Sequence, residues 1–503
     1  MALSALLHDL QLSSSEKPRP SASPPITELL FQLQEKLIGS PSEACALIGR
    51  VEQLFQAADP HWLFCLGSAN QEGERAELQA AYSSLISALI GCAALPLCDD
   101  DGSPLSATAY QSVPGRAATV SSALTAVIDS WDRGGGARGG LLLAVAPPIC
   151  VFAVTHFQDQ LWTSSASRAA ARCLQEALLR AGRWRDSAHL LMGDTEENGG
   201  ILGEVLDVLQ PQLSKSSWQR CEPVKLVFSW TLLQVTRPRL SPHLPRLLPP
   251  SLLLSDHHLP ENCMLGVRCL HHIVLNTPAA DLRQLNRAEV LHQAALRLLS
   301  SSRVAAVVQP VLFCLLDLLL VLEKPPSSLA PSCPPRKNSR HDDVLRLVLT
   351  HMEAEHKVAL RRVYAAALPP YVQRMGVAVC RHLKRLERVV LGYLEIRDPP
   401  EETSRLKVLE VLQNTIRAAW PRMQHRSNAL LCCLLRLLVD VSSDSELRDS
   451  IRQQLMDQTC VCLKLLDACS HGDVQRRLLQ VDSSCCSAEV LRCLETVTVA
   501  TDR

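Results

Sequence analysis

From Ile26 onward, apolar residues recur at the three- and four-residue spacing that gathers one face of an α-helix. The pattern is plainest in the last third of the chain. There "DDVLRLVLTHM", "EHKVALRRVYAAAL", "PYVQRMGVAVCRHLKRLERVVLGYLE", "ETSRLKVLEVLQNTIRAAW", "SNALLCCLLRLLVDV" and "LRDSIRQQLMDQTCVCLKLLDAC" read as successive helices. Proline, glycine, aspartate or serine stands between them. Pro421 ends one helix, and Pro369 and Pro370 separate two others, because a proline ring cannot continue a helix. The polar stripes are narrow, as expected where each helix touches a pair mate and a neighbour on either side. Helix pairs recurring at roughly 40 residues predict an all-α fold, a HEAT/armadillo-like α-solenoid of stacked antiparallel helix pairs.

Breaks in the pattern divide the chain. Residues 1–25 contain the Ser/Pro-rich "LSSSEKPRPSASPP", which has little to bury and reads as disordered. A front helical block is expected over 26–322, with loops near 98–117 and 132–140. Residues 323–343, "EKPPSSLAPSCPPRKNSRHDD", hold five prolines and form a predicted linker. A rear block, 344–503, follows and is the expected partner-docking part.

Composition supports helices over strands. Aromatic residues are 4% of the 503, while leucine and alanine dominate. Lys plus Arg and Asp plus Glu are 51 each, so no net positive field exists to attract nucleic acid. The amino-terminal stretch lacks a basic n-region and carries His8 and Asp9 among its leucines, and no apolar run approaches about 20 residues. No membrane span is expected, and an intracellular protein is. The 20 cysteines include no C-x-x-C pair and sit in leucine-rich runs, which suits free thiols rather than disulfides or zinc.

Candidate chemistry is sparse. "CMLGVRCLHHIVLNTP", Cys263 to Pro278, places Cys269 and Gly266 on an apolar arc and His271 and His272 on opposite shoulders of the polar one. Cys269 and His272 could share a metal only with two further ligands, for which His257 and His258 are conceivable donors; helix-surface histidines are the expectation. Gly134, Gly136 and Gly139 match G-x-G-x-x-G but follow a helical pattern rather than a strand. "CDDDG" has Tyr110 where a calcium loop needs glutamate, and His351 and His356 are five apart rather than four. No P-loop or nucleophile elbow occurs. No catalytic residue, metal or cofactor is predicted.

One surface feature stands out. In "CRHLKRLERVVLGYL", Val379, Leu383, Leu386, Val390 and Leu394 form an apolar seam, and Arg381, Arg385 and Arg388 line the opposite side at i, i+4, i+7. Such a stripe could hold an acidic partner surface.

The runs "VFAVTHFQDQLWT" (from Val151), "VFSWTLLQVTRPRLSPHLPRLLPPSLLLSD" (from Val227), "LGVRCLHHIVLNTPAADLRQLNRAEVL" (from Leu265), "DDVLRLVLTHMEAEHKVALRRVYAAALP" and "RHLKRLERVVLGYLE" resemble the family of second Tel-two-interacting proteins. The resemblance extends from about Pro147 to about Ser470; the first 120 or so residues match poorly. It implies a HEAT-like co-chaperone scaffold of the Triple T complex, bound to the Tel-two protein and to a larger HEAT-repeat partner, the first Tel-two-interacting protein. It further implies work with the ninety-kilodalton heat-shock chaperone and the RuvB-like ATPase adaptor complex on phosphatidylinositol-3-kinase-related kinases, in cytoplasm and nucleus. A transport- or phosphatase-type scaffold shares the architecture, and a metal-dependent hydrolase on a helical frame is the enzymatic alternative.

Overall fold

The structure, a computed structural model, describes residues 25–498 except 41–42, 65–70, 99–104, 134–138, 195–199, 329–338 and 482–485. The expectations for the amino-terminal 24 residues, for most of the Gly-rich loop and for the middle of the Pro-rich segment therefore lie outside the described residues. Every regular element among the described residues is a helix. The chain divides into two compact units, up to Leu253 and from Leu254.

In the first unit the principal helices are α1 (Ile26–Gly39), α2 (Ala44–Ala57), α3 (Gln71–Cys92), α4 (Val113–Arg133), α5 (Gly139–His156) and α6 (Ser165–Ala181). Their packing skips one: α1 lies on α3, α2 on α4, α3 on α5 and α4 on α6. That ladder builds two layers from consecutive helices and buries an apolar face on each. Scarce aromatics are concentrated in it. Tyr82 stacks on Phe64 at 5.6 Å and meets Trp131 edge-on at 5.6 Å, with its hydroxyl donating to the Leu63 carbonyl at 3.1 Å. The loop expected over 98–117 is shorter, because α4 starts at Val113, and Gly139 opens a helix rather than ending a loop.

The second unit repeats the ladder with α7 (Pro260–Asn276), α8 (Arg287–Ser301), α9 (Ala305–Leu322), α10 (Arg340–Ala354), α11 (Val358–Met375), α12 (Leu383–Leu394), α13 (Thr403–Met423), α14 (Ser427–Ser443), α15 (Asp449–Cys469) and α16 (Ala488–Thr498). One layer runs α7, α9, α11, α13, α15, α16. The other runs α10, α12, α14, each helix against the next in its layer. The all-α stacked-pair architecture is thus present in each unit.

Four boundaries differ from the sequence reading. The Pro-rich segment does not separate blocks: α9 before it and α11 after it pack together, and the Tyr371 hydroxyl donates to the Leu312 carbonyl at 2.6 Å. Helix α11 runs through Pro369 and Pro370. An exposed helix would lose about 3 kcal/mol or more at such a ring, but Leu368, Pro369, Tyr371 and Val372 are all buried and their packing holds the helix. Likewise α13 passes Pro421 with only a kink, at Ala419 (φ −110°, ψ 20°). The long helix expected over 370–395 is instead broken at Gly376, whose φ of +52° ends α11 and starts a 3-10 turn, Gly376–Arg381.

Helix α9 with the turn after it, 305–328, is long and apolar enough to cross a membrane by length and composition, contrary to the shorter estimate from sequence. Val308, Val311, Leu312, Leu315, Leu318 and Leu319 are wholly buried in the core of the unit, which accounts for that composition without lipid.

Gly266 sits where α7 meets the backbone of Leu254 and Ser255. A Cβ there would lie 2.2 Å from the Ser255 amide nitrogen and 2.7 Å from the Leu254 carbonyl carbon, so backbone would have to move. Gly266→Ala is expected to lower the unfolding free energy by about 1–3 kcal/mol in urea titration, the usual range for overpacking. Gly392→Ala, in α12 with nothing within 4 Å of the added methyl, is expected to raise it by about 0.5–1 kcal/mol.

Candidate partner-docking face and its internal ion pairs

The arginine stripe is built on two elements. Arg381 ends the 3-10 turn, and Arg385 and Arg388 lie on α12, which begins only at Leu383. All three turn toward α10. Its first residues explain why: Ser339 caps the helix and Asp342 closes a capping box, accepting from the Ser339 amide at 2.9 Å and hydroxyl at 2.8 Å. The same carboxylate takes Arg381 Nη1 at 2.7 Å on Oδ2 and His382 Nε2 at 2.8 Å on Oδ1. Asp342 is 1% exposed, a buried charge satisfied from its own helix start and from the next helix of the layer.

At the far end of α10, in its last turn, Glu353 performs the matching task. Arg385 donates to it through Nη2 at 2.7 Å and to the Thr350 hydroxyl at 2.8 Å, and Arg388 Nη2 lies 3.3 Å from its second oxygen. The arginine row is thus engaged within the unit: Arg381 and Arg385 clamp α12 to α10, with side chains 40% and 27% exposed. The side chain of Arg388 remains 60% exposed.

The histidine cluster resolves in a similar way. His271 is no solvent-facing shoulder; its Nε2 lies 2.9 Å from Asp317 Oδ2 on α9, and Arg374 of α11 approaches Oδ1 at 3.1 Å while also donating to the Leu316 carbonyl. His272 instead shares contacts with Asn276 one turn on, and the His257 and His258 rings lie 4.2 Å apart, tilted by 44°. Cys269, His272 and the His257 pair therefore do not converge. Among the described residues no three His, Cys, Asp or Glu side chains form a metal-holding group. A third clamp joins α11 to the start of α13: Arg362 Nε donates to Asp398 Oδ2 at 3.1 Å, which also accepts from the Ser404 amide at 2.9 Å.

Electrostatics follow the geometry. Burial alone would raise the Asp342 pKa, but the Ser339 amide, the His382 ring, the Ser339 hydroxyl and Arg381 together hold it below the ordinary carboxylate range. The hydrogen bond from His271 does the same for Asp317, against its partial burial, and the one from Arg385 for Glu353. Asp342, His382, Asp317 and Arg374 were not singled out as paired residues by sequence, although S-x-x-D at Ser339 and a lone aspartate in "VLFCLLDLLLVL" are both readable signals.

Asp342→Ala is expected to lower the unfolding free energy by about 3 kcal/mol, the low end for removing one partner of a buried pair. Arg388→Ala should change it by less than about 0.5 kcal/mol because its pair is solvated. A depressed folded pKa stabilises fully above the unfolded value near pH 4 and stops doing so as pH falls through the folded one. The acid limb of a stability–pH curve for Asp342→Asn should thus be flatter below about pH 4 than that of the parent chain.

Comparison with known proteins places this frame. A sequence model of the Tti2 family matches residues 207–399. TELO2-interacting protein 2 of Homo sapiens is 46% identical over 354 residues, 70% of this chain and 69% of that protein. Its Mus musculus counterpart is 44% identical over 351 residues, 70% of this chain and 68% of that protein. Among solved structures, Kap95p in complex with RanGDP aligns with a TM-score of 0.48 at 11% identity, over 94% of this chain and 64% of that one. Kap121p aligns with a TM-score of 0.43 at 13% identity, over 95% of this chain and 44% of that one. With the sequence identity running well beyond the span of the family model, the chain belongs to the Tti2 family.

Proposed function

We propose that this chain is a non-catalytic scaffold subunit of the Triple T co-chaperone complex. In this reading it binds the Tel-two protein and docks on the larger HEAT-repeat first Tel-two-interacting protein. Through that assembly, and with the ninety-kilodalton heat-shock chaperone and the RuvB-like ATPase adaptor complex, it supports folding, assembly and stability of phosphatidylinositol-3-kinase-related kinases of the mTOR, ATM and ATR types, in cytoplasm and nucleus. The observation that carries the reading is the 42–46% identity, over 70–74% of this chain, to proteins named for their interaction with TELO2.

The physical arrangement supports a binding role. A helix ladder offers long surfaces, and affinity on such surfaces comes from a few anchors within a contact of ordinary size. The charged clamps of the second unit lock neighbouring helices rather than converging on a substrate-sized site. Arg388 is the member of the stripe with side chain to spare for a partner, and the rear residues, 344–503, are the proposed docking part.

Affinity purification of the tagged full chain from cells, read by mass spectrometry, should recover TELO2, the larger HEAT-repeat partner and the large kinases; their absence would sink the proposal. Co-expression with the larger partner should raise soluble yield and half-life through mass action, and equal values with and without it count against the docking. Arg388→Glu should lower partner recovery with an unchanged unfolding midpoint. Unchanged recovery would confine Arg388 to its internal pair with Glu353.

A further inference from the structure

Helix α15 carries Cys460, Cys462 and Cys469, and α16 carries Cys493. The Cys460 thiol donates to the Cys493 carbonyl oxygen at 3.8 Å, across the contact between the two helices. Both residues line a cleft of about 560 Å³ between the two helices, shared with Met456, Asp457, Lys464 and Arg492. These cysteines are 33 positions apart, so only the packing of α16 on α15 makes them neighbours.

We propose that Cys460 and Cys493 form a reversible oxidation site, a dithiol that a small disulfide such as glutathione disulfide converts into an intramolecular disulfide tying α16 to α15. The site is distinct from the other thiols of the same helix. Cys462, two residues on, is wholly buried, directs its sulfur to the Leu409 carbonyl at 3.6 Å, and burial pushes its thiol up to about 12. Cys469 donates to the Leu466 carbonyl at 3.2 Å, and burial raises it too. Cys460 alone among them is shifted down: the hydrogen bond from Cys493 favours its thiolate against desolvation, helped by Thr496 and Lys464 and opposed by Asp457. Thiolate is the attacking form, so Cys460, at the cleft and beside Cys493, is the nucleophile of the pair.

The chemistry balances in two exchanges. The Cys460 thiolate attacks one sulfur of glutathione disulfide, breaking that S–S bond, forming a mixed disulfide and releasing one glutathione thiolate. In the free dithiol the Cys493 thiol is raised, first by its hydrogen bond to Cys460 and then by burial. Capping Cys460 removes both that hydrogen bond and the neighbouring negative charge, so Cys493 deprotonates more readily at this stage. Its thiolate then attacks Cys460 Sγ and releases the second glutathione. Two protein thiols are oxidised, one disulfide reagent is reduced to two thiols, and added glutathione reverses the sequence.

The test treats the full chain with glutathione disulfide and maps peptides by mass spectrometry. The expected first product of the parent chain is two hydrogens lighter and contains a Cys460–Cys493 cross-linked peptide, reverting on added glutathione. Cys493→Ser should stop at a glutathione adduct on Cys460, and Cys460→Ser should leave Cys493 unmodified. Without any substitution, iodoacetamide should label Cys460 at least tenfold faster than Cys462, a comparison that does not depend on how the variants fold. Separate glutathione adducts on both residues, a first disulfide between other cysteines, equal labelling of Cys460 and Cys462, or no reaction would each overturn the proposal.

Discussion

Each helix in the middle of the second unit is flanked within its layer by the helix two before and the helix two after, and faces the other layer as well. A wide arc of every helix is therefore removed from water, and any charge falling inside that arc must be matched from a neighbouring helix, since an unmatched ion there costs several kcal/mol. The buried Asp342 and Asp398 and the partly buried Asp317 show how this requirement is met. Asp342 and Asp317 are answered from further along the chain, by Arg381 and Arg374, whereas Asp398, just before α13, is answered from earlier in it, by Arg362 of α11.

Apolar contact between helices is strong but has no direction, so it leaves a helix free to slide or rotate against its neighbour. The ion pairs have direction. Asp342 and Glu353 lie at opposite ends of α10, and both are met from the α12 side; once both are engaged, neither translation nor rotation of α12 leaves the pairs intact. His271 and Arg374 reach Asp317 from α7 and α11, which fixes the most apolar helix, α9, between its two flanking helices. Arg362 and Asp398 then tie α11 to the first turn of α13. Across the unit, hydrophobic burial supplies the bulk of the stabilisation and these charges select one register.

Helix class and stacking were legible because their signals are local and repeated: the three- and four-residue spacing, the scarcity of aromatic and β-branched positions, and the narrow polar stripes. Boundaries were less so, for reasons visible in single residues. Pro369 and Pro370 read as breaks because isolated prolines terminate helices, whereas here burial on both flanks outweighs the lost hydrogen bonds. Gly376 read as an ordinary position because its backbone angle is set by the turn into α12. Gly266 was read as part of an apolar helical arc, and the missing side chain there lets α7 meet the Leu254 and Ser255 backbone. The arginine spacing was real, yet wheel geometry describes one helix and cannot show which element stands opposite. Asp317 and His271 are 46 residues apart, and only the ladder brings them together.

This division of labour bears on how such a chain can bind anything. Residues that fix register are engaged within the unit, so a partner that competed for Asp342 or Arg385 would loosen α12 from α10 and lose affinity to the cost of that rearrangement. Recognition is better served by side chains that stay solvated after the ladder is built, such as Arg388, and by apolar residues left exposed near the helix ends and turns, among them Val377, Ile396 and Trp420. Tryptophan and arginine are the residues most often found to dominate binding energy. A surface assembled from the remainder of each helix, on a frame whose register is already fixed, presents its anchors without an ordering cost at the moment of binding. The pairing of Arg388 with Glu353, which Arg385 also engages, keeps this exposed side chain in a defined place.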